Sequence, residues 1–349
     1  MKKNSTVFDV AAAAGVSRGT VDRVVFHRGG VSEKTAEKVR NAIARLNYVP
    51  NENASRLATR RVIRFGILIP EFKPGEYWSL IEDGFRQGVG DMPSYKVELL
   101  LRHYDSGCRQ SFREQAETLL EEDIDAVITN AAPRGPLQDF LDVLQHRHIP
   151  FAFIDNKYDD LDYLMYYGVD PYKSGTLGAF LLTMRQKVES VAMVCVKRET
   201  EGGYDPNAPR RRGITDYLKA GFPSARIYTL FVDGDSKAST DALMDGFFSA
   251  HAGLKHIIFP ESRVHLISDW LLRHPDEGRV VVGYDDLEKN MDALRDGAVE
   301  FLVTRKVSEQ SRRLIVNFTE CLIRHTDPAR KNNFVHMDIL HKCNLDDYL

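Results

Sequence analysis

The sequence predicts a small all-α head followed by an α/β body of two doubly wound parallel-sheet subdomains. Three observations carry this. Residues 6–47 show three helical patterns and no strand. From Val62 onward, apolar runs of strand length alternate with amphipathic helical stretches, the pattern of parallel sheets covered on both faces. About ten strands in the remainder fit two sheets better than one very wide sheet.

The head is read first. Ala11, Gly15 and Val21 have the spacing of a helix-turn-helix in "TVFDVAAAAGVSRGTVDRVVF". A small residue stands where the two helices nearly touch. Gly15 can take the positive φ that ends the first helix, and Val21 locks the second onto it. Ser17 is the N-cap of the second helix, which exposes Arg18, Gly19, Asp22 and Arg23. A small helical bundle without a ligand would show the same spacing. Ser32 caps the third helix, where Ala36, Val39, Ile43 and Leu46 repeat at helical intervals before Pro50. The polar, basic "NENASRLATRR" then leads into the body.

In the body the strands are VIRFGILIP, VELLL, IDAVIT, IPFAFID, SVAMVCV, RIYTLFV, LKHIIF, RVVVGYD and VEFLVT. FREQAETLLEE and SEQSRRLIVNFTECLI are among the helices between them. No repeat or low-complexity tract interrupts the series.

Charge separates the two parts. The chain has 349 residues and a net charge of −3, yet residues 1–61 hold 12 Lys and Arg against 5 Asp and Glu. The remainder holds 35 against 45. A basic head on an acidic body points to a polyanion partner for the head, or to a merely solvated basic face. The four cysteines (Cys108, Cys195, Cys321, Cys343) form no C-x-x-C pair, so neither zinc nor a disulfide framework is supported and a reducing compartment is expected. Asp9 interrupts the apolar start, which argues against a secretory leader. No stretch approaches the about 18 apolar residues of a membrane span. A cytoplasmic protein without membrane attachment is expected.

The segments "TVFDVAAAAGVSRGTVDRVV", "VSEKTAEKVRNAIARLNYVPN" and "ASRLATRR" resemble the head of the LacI/GalR family of bacterial transcriptional repressors. The likeness extends over the body, including "VVVGYDD", which resembles that family's periplasmic-binding-protein-like type I sensor. The resemblance implies a helix-turn-helix domain over 1–50, a hinge over 51–61 and a sensor over 62–349. Within the sensor it implies one subdomain of about 62–170 with 304–328, and a second of about 171–303 with 329–349.

It also implies base-reading positions at Arg18, Gly19 and Arg23, with Ser17 and Thr20 facing phosphates. Arginine suits guanine, which offers two acceptors side by side. Gly19 departs from the family, where a side chain usually reads a base. Asp22 departs from the usual small residue; it can accept from a cytosine amino group or orient Arg18 or Arg23. Asn51 is an N-cap candidate for a hinge helix with Ala54 and Leu57 at helical spacing, too short to hold alone in water. The resemblance makes Leu57, beside Arg56, a minor-groove wedge on operator DNA. The ordinary alternative is a core contact to the sensor. Two such hinges imply a homodimer on a pseudo-palindromic operator of double-stranded DNA.

Ligands of open α/β sheets bind past the C-terminal ends of the strands. Those ends supply Tyr77, Trp78, Asn130 and Asp155 on one wall. Family matching adds Arg210 from "RRRG", Asp285 from "GYDD" and Glu261 from "FPES" on the other. Such a set suits a small sugar-like effector: arginine and carboxylates pair with vicinal hydroxyls, and an aromatic face covers the C–H side. Each has an ordinary alternative: Asp285 as a cap for the helix from Leu287, Tyr77 or Trp78 as core. An aromatic platform found in some members is missing near Ser236. Arg210 favours a phosphorylated effector while Glu261 and Asp285 oppose one, which leaves that choice open.

No G-x-G-x-x-G or G-x-S-x-G motif is present, and the eleven histidines lack metal-ligand spacing. No enzyme, metal or cofactor is expected. The leading expectation is a DNA-binding regulator of carbohydrate metabolism, with repression favoured. The rival from another class is a solute-binding protein of the same sensor fold, which would carry a cleavable leader and no basic head.

Overall fold

The computed structural model describes residues 7–25, 30–46, 62–185, 187–197 and 205–348. The head holds α1 (Val7–Ala14), α2 (Arg18–Val25) and α3 (Glu33–Leu46) around Val10, Ala11, Val21, Val39 and Ala42. Gly15 takes a φ of +66°, and the amide of Val16 donates to the carbonyl of Ala11 at 3.0 Å. This αL residue ends α1 and turns the chain into α2. The Ser17 hydroxyl accepts from the Thr20 amide at 3.2 Å, capping α2. Ser32 begins α3, its carbonyl accepting from Thr35 and Ala36.

The body starts with β1 (Val62–Pro70), α4 (Tyr77–Gly90), β2 (Lys96–Tyr104), α5 (Arg109–Leu120), β3 (Ala126–Thr129), α6 (Arg134–His146), β4 (Phe151–Asp155) and β5 (Met165–Gly168). It continues with α7 (Pro171–Thr183), β6 (Ser190–Val196), α8 (Ala208–Gly221), β7 (Arg226–Val232), α9 (Lys237–Ala250) and β8 (His256–Ile258). Then come a 3-10 turn (Val264–Ile267), α10 (Ser268–Arg273), β9 (Val280–Tyr284), α11 (Glu288–Arg295), β10 (Phe301–Thr304), α12 (Val307–Arg324), β11 (Asn332–Phe334), β12 (Asp338–Leu340) and a closing 3-10 turn (Lys342–Asn344).

Two six-stranded sheets result, in the orders β11-β5-β4-β3-β1-β2 and β12-β10-β9-β8-β6-β7. All pairings are parallel except β10 with β12. Each sheet buries apolar side chains on both faces. Phe65, Phe85 and Phe318 pack on one side of the first sheet and Phe112, Leu137 and Phe153 on the other. The second sheet divides likewise between Val194, Trp270 and Leu302 and Met193, Ile214 and Val282. This is the periplasmic-binding-protein-like type I architecture.

The second subdomain was expected to take all of 329–349. Instead β11 pairs with β5 in the first sheet, Asn332 opposite Tyr166, and the chain crosses over only between Phe334 and Asp338. The Tyr163 hydroxyl donates to Asn332 at 2.7 Å, and Phe334 packs edge-on against Tyr166, which anchors the strand there.

One close approach positions the cleft. An added Cβ on Gly175 would lie 2.0 Å from the Arg210 carbonyl, and one on Gly213 would lie 2.0 Å from the Tyr172 carbonyl. Only glycine at both places lets α7 and α8 touch backbone to backbone, and that contact sets Arg210 at the first turn of α8.

Candidate functional site

The C-terminal ends of strands from both sheets face one cleft of about 420 Å³. At its floor lies Arg305, in the crossover between β10 and α12. Arg305 is 8 % exposed, and its Nη1 stands 2.8 Å from Asp155 and its Nε 3.0 Å from Asp285. One guanidinium thus joins a carboxylate from each lobe. Its carbon lies 4.8 Å from the centre of the Tyr77 ring, and the Tyr77 hydroxyl donates to Asp155 at 2.7 Å. The Ser262 hydroxyl donates to the other oxygen of Asp285 at 2.6 Å.

Burial of Arg305 opposes its charge, but Asp285 and Asp155 overcome this and hold its pKa well above the ordinary value. Burial, with Asp155 adding to it, raises the Tyr77 phenol well above its usual range, so the hydroxyl stays a donor.

The expected site residues fall into three groups. Tyr77, Trp78, Asn130, Asp155 and Arg210 all line the cleft. Arg210 is 5 % exposed, with Nη1 donating to the Pro260 carbonyl at 2.8 Å, its guanidinium 4.4 Å over the Tyr284 ring, and Nε without a hydrogen-bond partner. That Nε is itself buried; a buried donor without a partner is costly, and an acceptor brought to it would recover that cost. Asn130 is internally engaged: it accepts from the Tyr104 hydroxyl at 3.0 Å and donates to the Ala131 carbonyl at 3.0 Å. Tyr77 and Trp78 meet edge to face at 5.5 Å.

Asp285 lies beneath the wall instead of on it, 1 % exposed and committed to Arg305 and Ser262. It does not cap α11, whose N-cap is Leu287 with no side-chain cap bond. Glu261 is corrected outright. Its carboxylate accepts from the Val196 amide at 3.1 Å, holding the end of β6, and it is not among the residues lining the cleft. Ser236 caps α9, accepting from the Ser239 amide at 3.2 Å.

Arg305 escaped the sequence reading. The rule that located Tyr77, Trp78, Asn130 and Asp155, inspecting the position just past a strand, points to it in "FLVTR".

On the head, Ser17, Gly19 and Arg23 are exposed on α2. A Cβ on Gly19 would meet only the Ser17 hydroxyl, at 3.9 Å, so nothing inside the described head demands glycine there. The Thr20 hydroxyl lies 2.9 Å from that of Ser17. Arg18 and Asp22 belong to α2 by backbone, but their side chains lie outside the described residues, as do Arg56 and Leu57 entirely. Among the described residues no helix is long and apolar enough to cross a membrane, and no His, Cys, Asp and Glu cluster fits a metal ion.

The protein thus combines a two-lobed α/β body, with a cleft between its lobes, and a helix-turn-helix head. Residues 65–319 match the periplasmic binding protein domain, and residues 6–51 match the bacterial regulatory proteins of the lacI family. The chain belongs, over residues 65–319, to the periplasmic binding protein domain family, and residues 6–51 form a head of the lacI family of bacterial regulatory proteins.

A Bacteroides fragilis structure described as a LacI transcriptional regulator is similar with a TM-score of 0.76 and 25 % identity, covering 83 % of this chain and 100 % of that one. A glucose-galactose binding protein from Geobacillus stearothermophilus has a TM-score of 0.69 at 16 % identity over 82 % of this chain and 99 % of its own, a likeness of fold alone. Catabolite control protein A of Staphylococcus epidermidis is 34 % identical over 123 residues, 35 % of this chain and 36 % of that protein. This chain therefore aligns with only about a third of the length of that curated relative.

Proposed function

We propose that this protein is a cytoplasmic DNA-binding transcriptional regulator of carbohydrate metabolism, acting as a repressor whose operator affinity is switched by a small sugar-like effector. The observation that carries the reading is the union, in one chain, of a lacI-type helix-turn-helix and a two-lobed cleft holding an unpaired buried arginine donor. A solute-binding protein of the same sensor fold would leave the head without a role.

In this reading α2 enters the major groove of a pseudo-palindromic operator as one of a symmetric pair. Arg18 and Arg23 read base edges, while Ser17 and Thr20 meet phosphates. Gly19 lets the helix lie close to the groove, and Asp22 orients a neighbouring arginine. Leu57 and Arg56 act from the hinge in the minor groove.

The effector lies between Arg210 on one lobe and Asp155, Asn130, Tyr77 and Trp78 on the other, with Asp285 acting through Arg305. Three chain crossings join the lobes, at 169–170, 305–306 and 335–337. A ligand gripping both lobes changes their angle about these crossings and so the spacing of the paired hinges. DNA affinity then changes by the difference in effector affinity between the two sensor states.

The test is retardation of DNA fragments from the protein's own promoter neighbourhood, at low salt, with and without sugars. A specific shift that one sugar abolishes supports the reading. Failure to retard any such fragment refutes it.

A further inference from the structure

Resting on the reading of the cleft as the effector site, we propose that it takes an anionic monosaccharide, with the acid group seated between Arg210 and Arg305. The sequence alone set Arg210 against Glu261 and Asp285 on this point. The structure removes both opposing carboxylates from the wall: Glu261 is turned to the Val196 amide, and Asp285 is held by Arg305 and Ser262 beneath the surface.

A neutral sugar presents hydroxyls that seek buried acceptors. The floor has few to offer. Asp155, a half-buried carboxylate that lines the cleft, already receives the Tyr77 hydroxyl and the Arg305 guanidinium on the same oxygen, Oδ1. Donors are in excess. Arg210 keeps a buried Nε with no partner, and Arg305 lines the cleft with Nε and Nη1 turned to the aspartates, leaving Nη2 for a ligand. A carboxylate or phosphate oxygen satisfies such forked donors best.

At the floor the two guanidiniums balance Asp155 and Asp285. The other charged residues of the lining, Lys197 and Arg263 with Glu71, Glu76, Asp105 and Asp235, are exposed or half-exposed, where water screens both signs. Glu76 and Asp105 also accept backbone amides, from Lys73 and Gly107. They suit the hydroxyl end of a sugar whose acid end is buried.

The experiment is calorimetric titration of the full-length protein with hexuronates, aldonates and hexose 6-phosphates of the gluco, galacto and manno series, each beside its neutral parent hexose. The expected result is one acidic sugar binding at least 10-fold tighter than its parent, with the margin shrinking in 0.5 M NaCl, as it does for partly solvated charge pairs. The carboxylate and phosphate arms separate the two sources of the acid group. Arg305→Gln should erase the preference and, by releasing Asp155, strengthen binding of the neutral parent. Where that variant does not fold, the ligand series and salt dependence of the native protein decide. A neutral hexose binding as tightly as every acidic one overturns the anionic assignment and leaves the sugar-sensor reading standing. Binding of none of these sugars, together with intact DNA retardation, removes both the assignment and the sugar reading of the cleft.

Discussion

Asp155 and Asp285 hold matching places in the two lobes and meet on one guanidinium. Asp155 is the last residue of β4 and Asp285 follows β9, with φ of +69° and +66°, and each lends its Oδ1 to Arg305. A left-handed φ is uncommon for residues with side chains, and here it occurs twice at equivalent sites. The pair turns a crossover residue into a tie between lobes.

Loss of that tie should be costly. Replacing Arg305 with leucine leaves the buried Asp285 and the half-buried Asp155 without their shared counter-charge. Breaking a buried ion pair from one side costs about 3–5 kcal/mol. Urea unfolding of the Arg305→Leu protein measures this, and a loss below about 1 kcal/mol would mean that water already screens the cluster.

Gly175→Ala should damage the cleft from outside it. The new methyl would lie 2.0 Å from the Arg210 carbonyl, so α7 and α8 must part. Overpacking of this kind costs about 1–3 kcal/mol, and Arg210 moves with α8. Thermal unfolding and effector titration should both suffer. Unchanged effector affinity would show that Arg210 does not depend on this contact.

Head variants separate stability from reading. Gly19→Ala meets only open space beside Ser17 and should stabilise α2 by roughly 0.5–1 kcal/mol. If Gly19 brings the helix close to the groove, the same change weakens operator binding, which fluorescence anisotropy reports. Arg23→Ala should weaken specific operator binding by about 1–3 kcal/mol while affecting non-specific DNA less. Equal losses on both DNAs would exclude base reading by Arg23.

Acid should destabilise the sensor through its buried histidines. Burial lowers the pKa of His256 and of His265, and the Nε2 of His256 has no partner. Each binds a proton more readily when unfolded. Their contribution is therefore intact above the unfolded pKa of about 6.5 and is lost as pH falls through it toward the lower folded value. Urea midpoints measured at pH 7.5 and 5.5 should show the drop, and His256→Leu should reduce it. A flat profile would count against neutral buried imidazoles.

Much of this was readable beforehand because local rules govern it. Gly15, Ser17 and Ser32 act within a few residues of themselves, and nine strands announce themselves by apolar runs. β5 (MYYG), β11 (NNF) and β12 (DIL) are as short as β3, β8 and β10 but lack an apolar run of that kind, so the third crossing was displaced. The cleft wall was legible from strand ends for Asp155 and Asn130, and from the family resemblance for Arg210. What could not be read was which way a side chain turns at such an end. Glu261 and Asp285 occupy the expected places yet face a backbone amide and a guanidinium. The Asp285 outcome depends on Arg305, 20 residues further on in sequence, and the Glu261 outcome on the Val196 amide, 65 residues back; no local pattern links either pair.

The central claim is that the cleft and the head are energetically linked. The most direct measurement is the operator Kd of the full-length protein titrated across effector concentration, with the effector Kd measured in turn with and without operator. The account predicts a shift of at least 10-fold in operator affinity and an equal, reciprocal shift in effector affinity. An effector that binds the cleft tightly while operator affinity stays constant would contradict it.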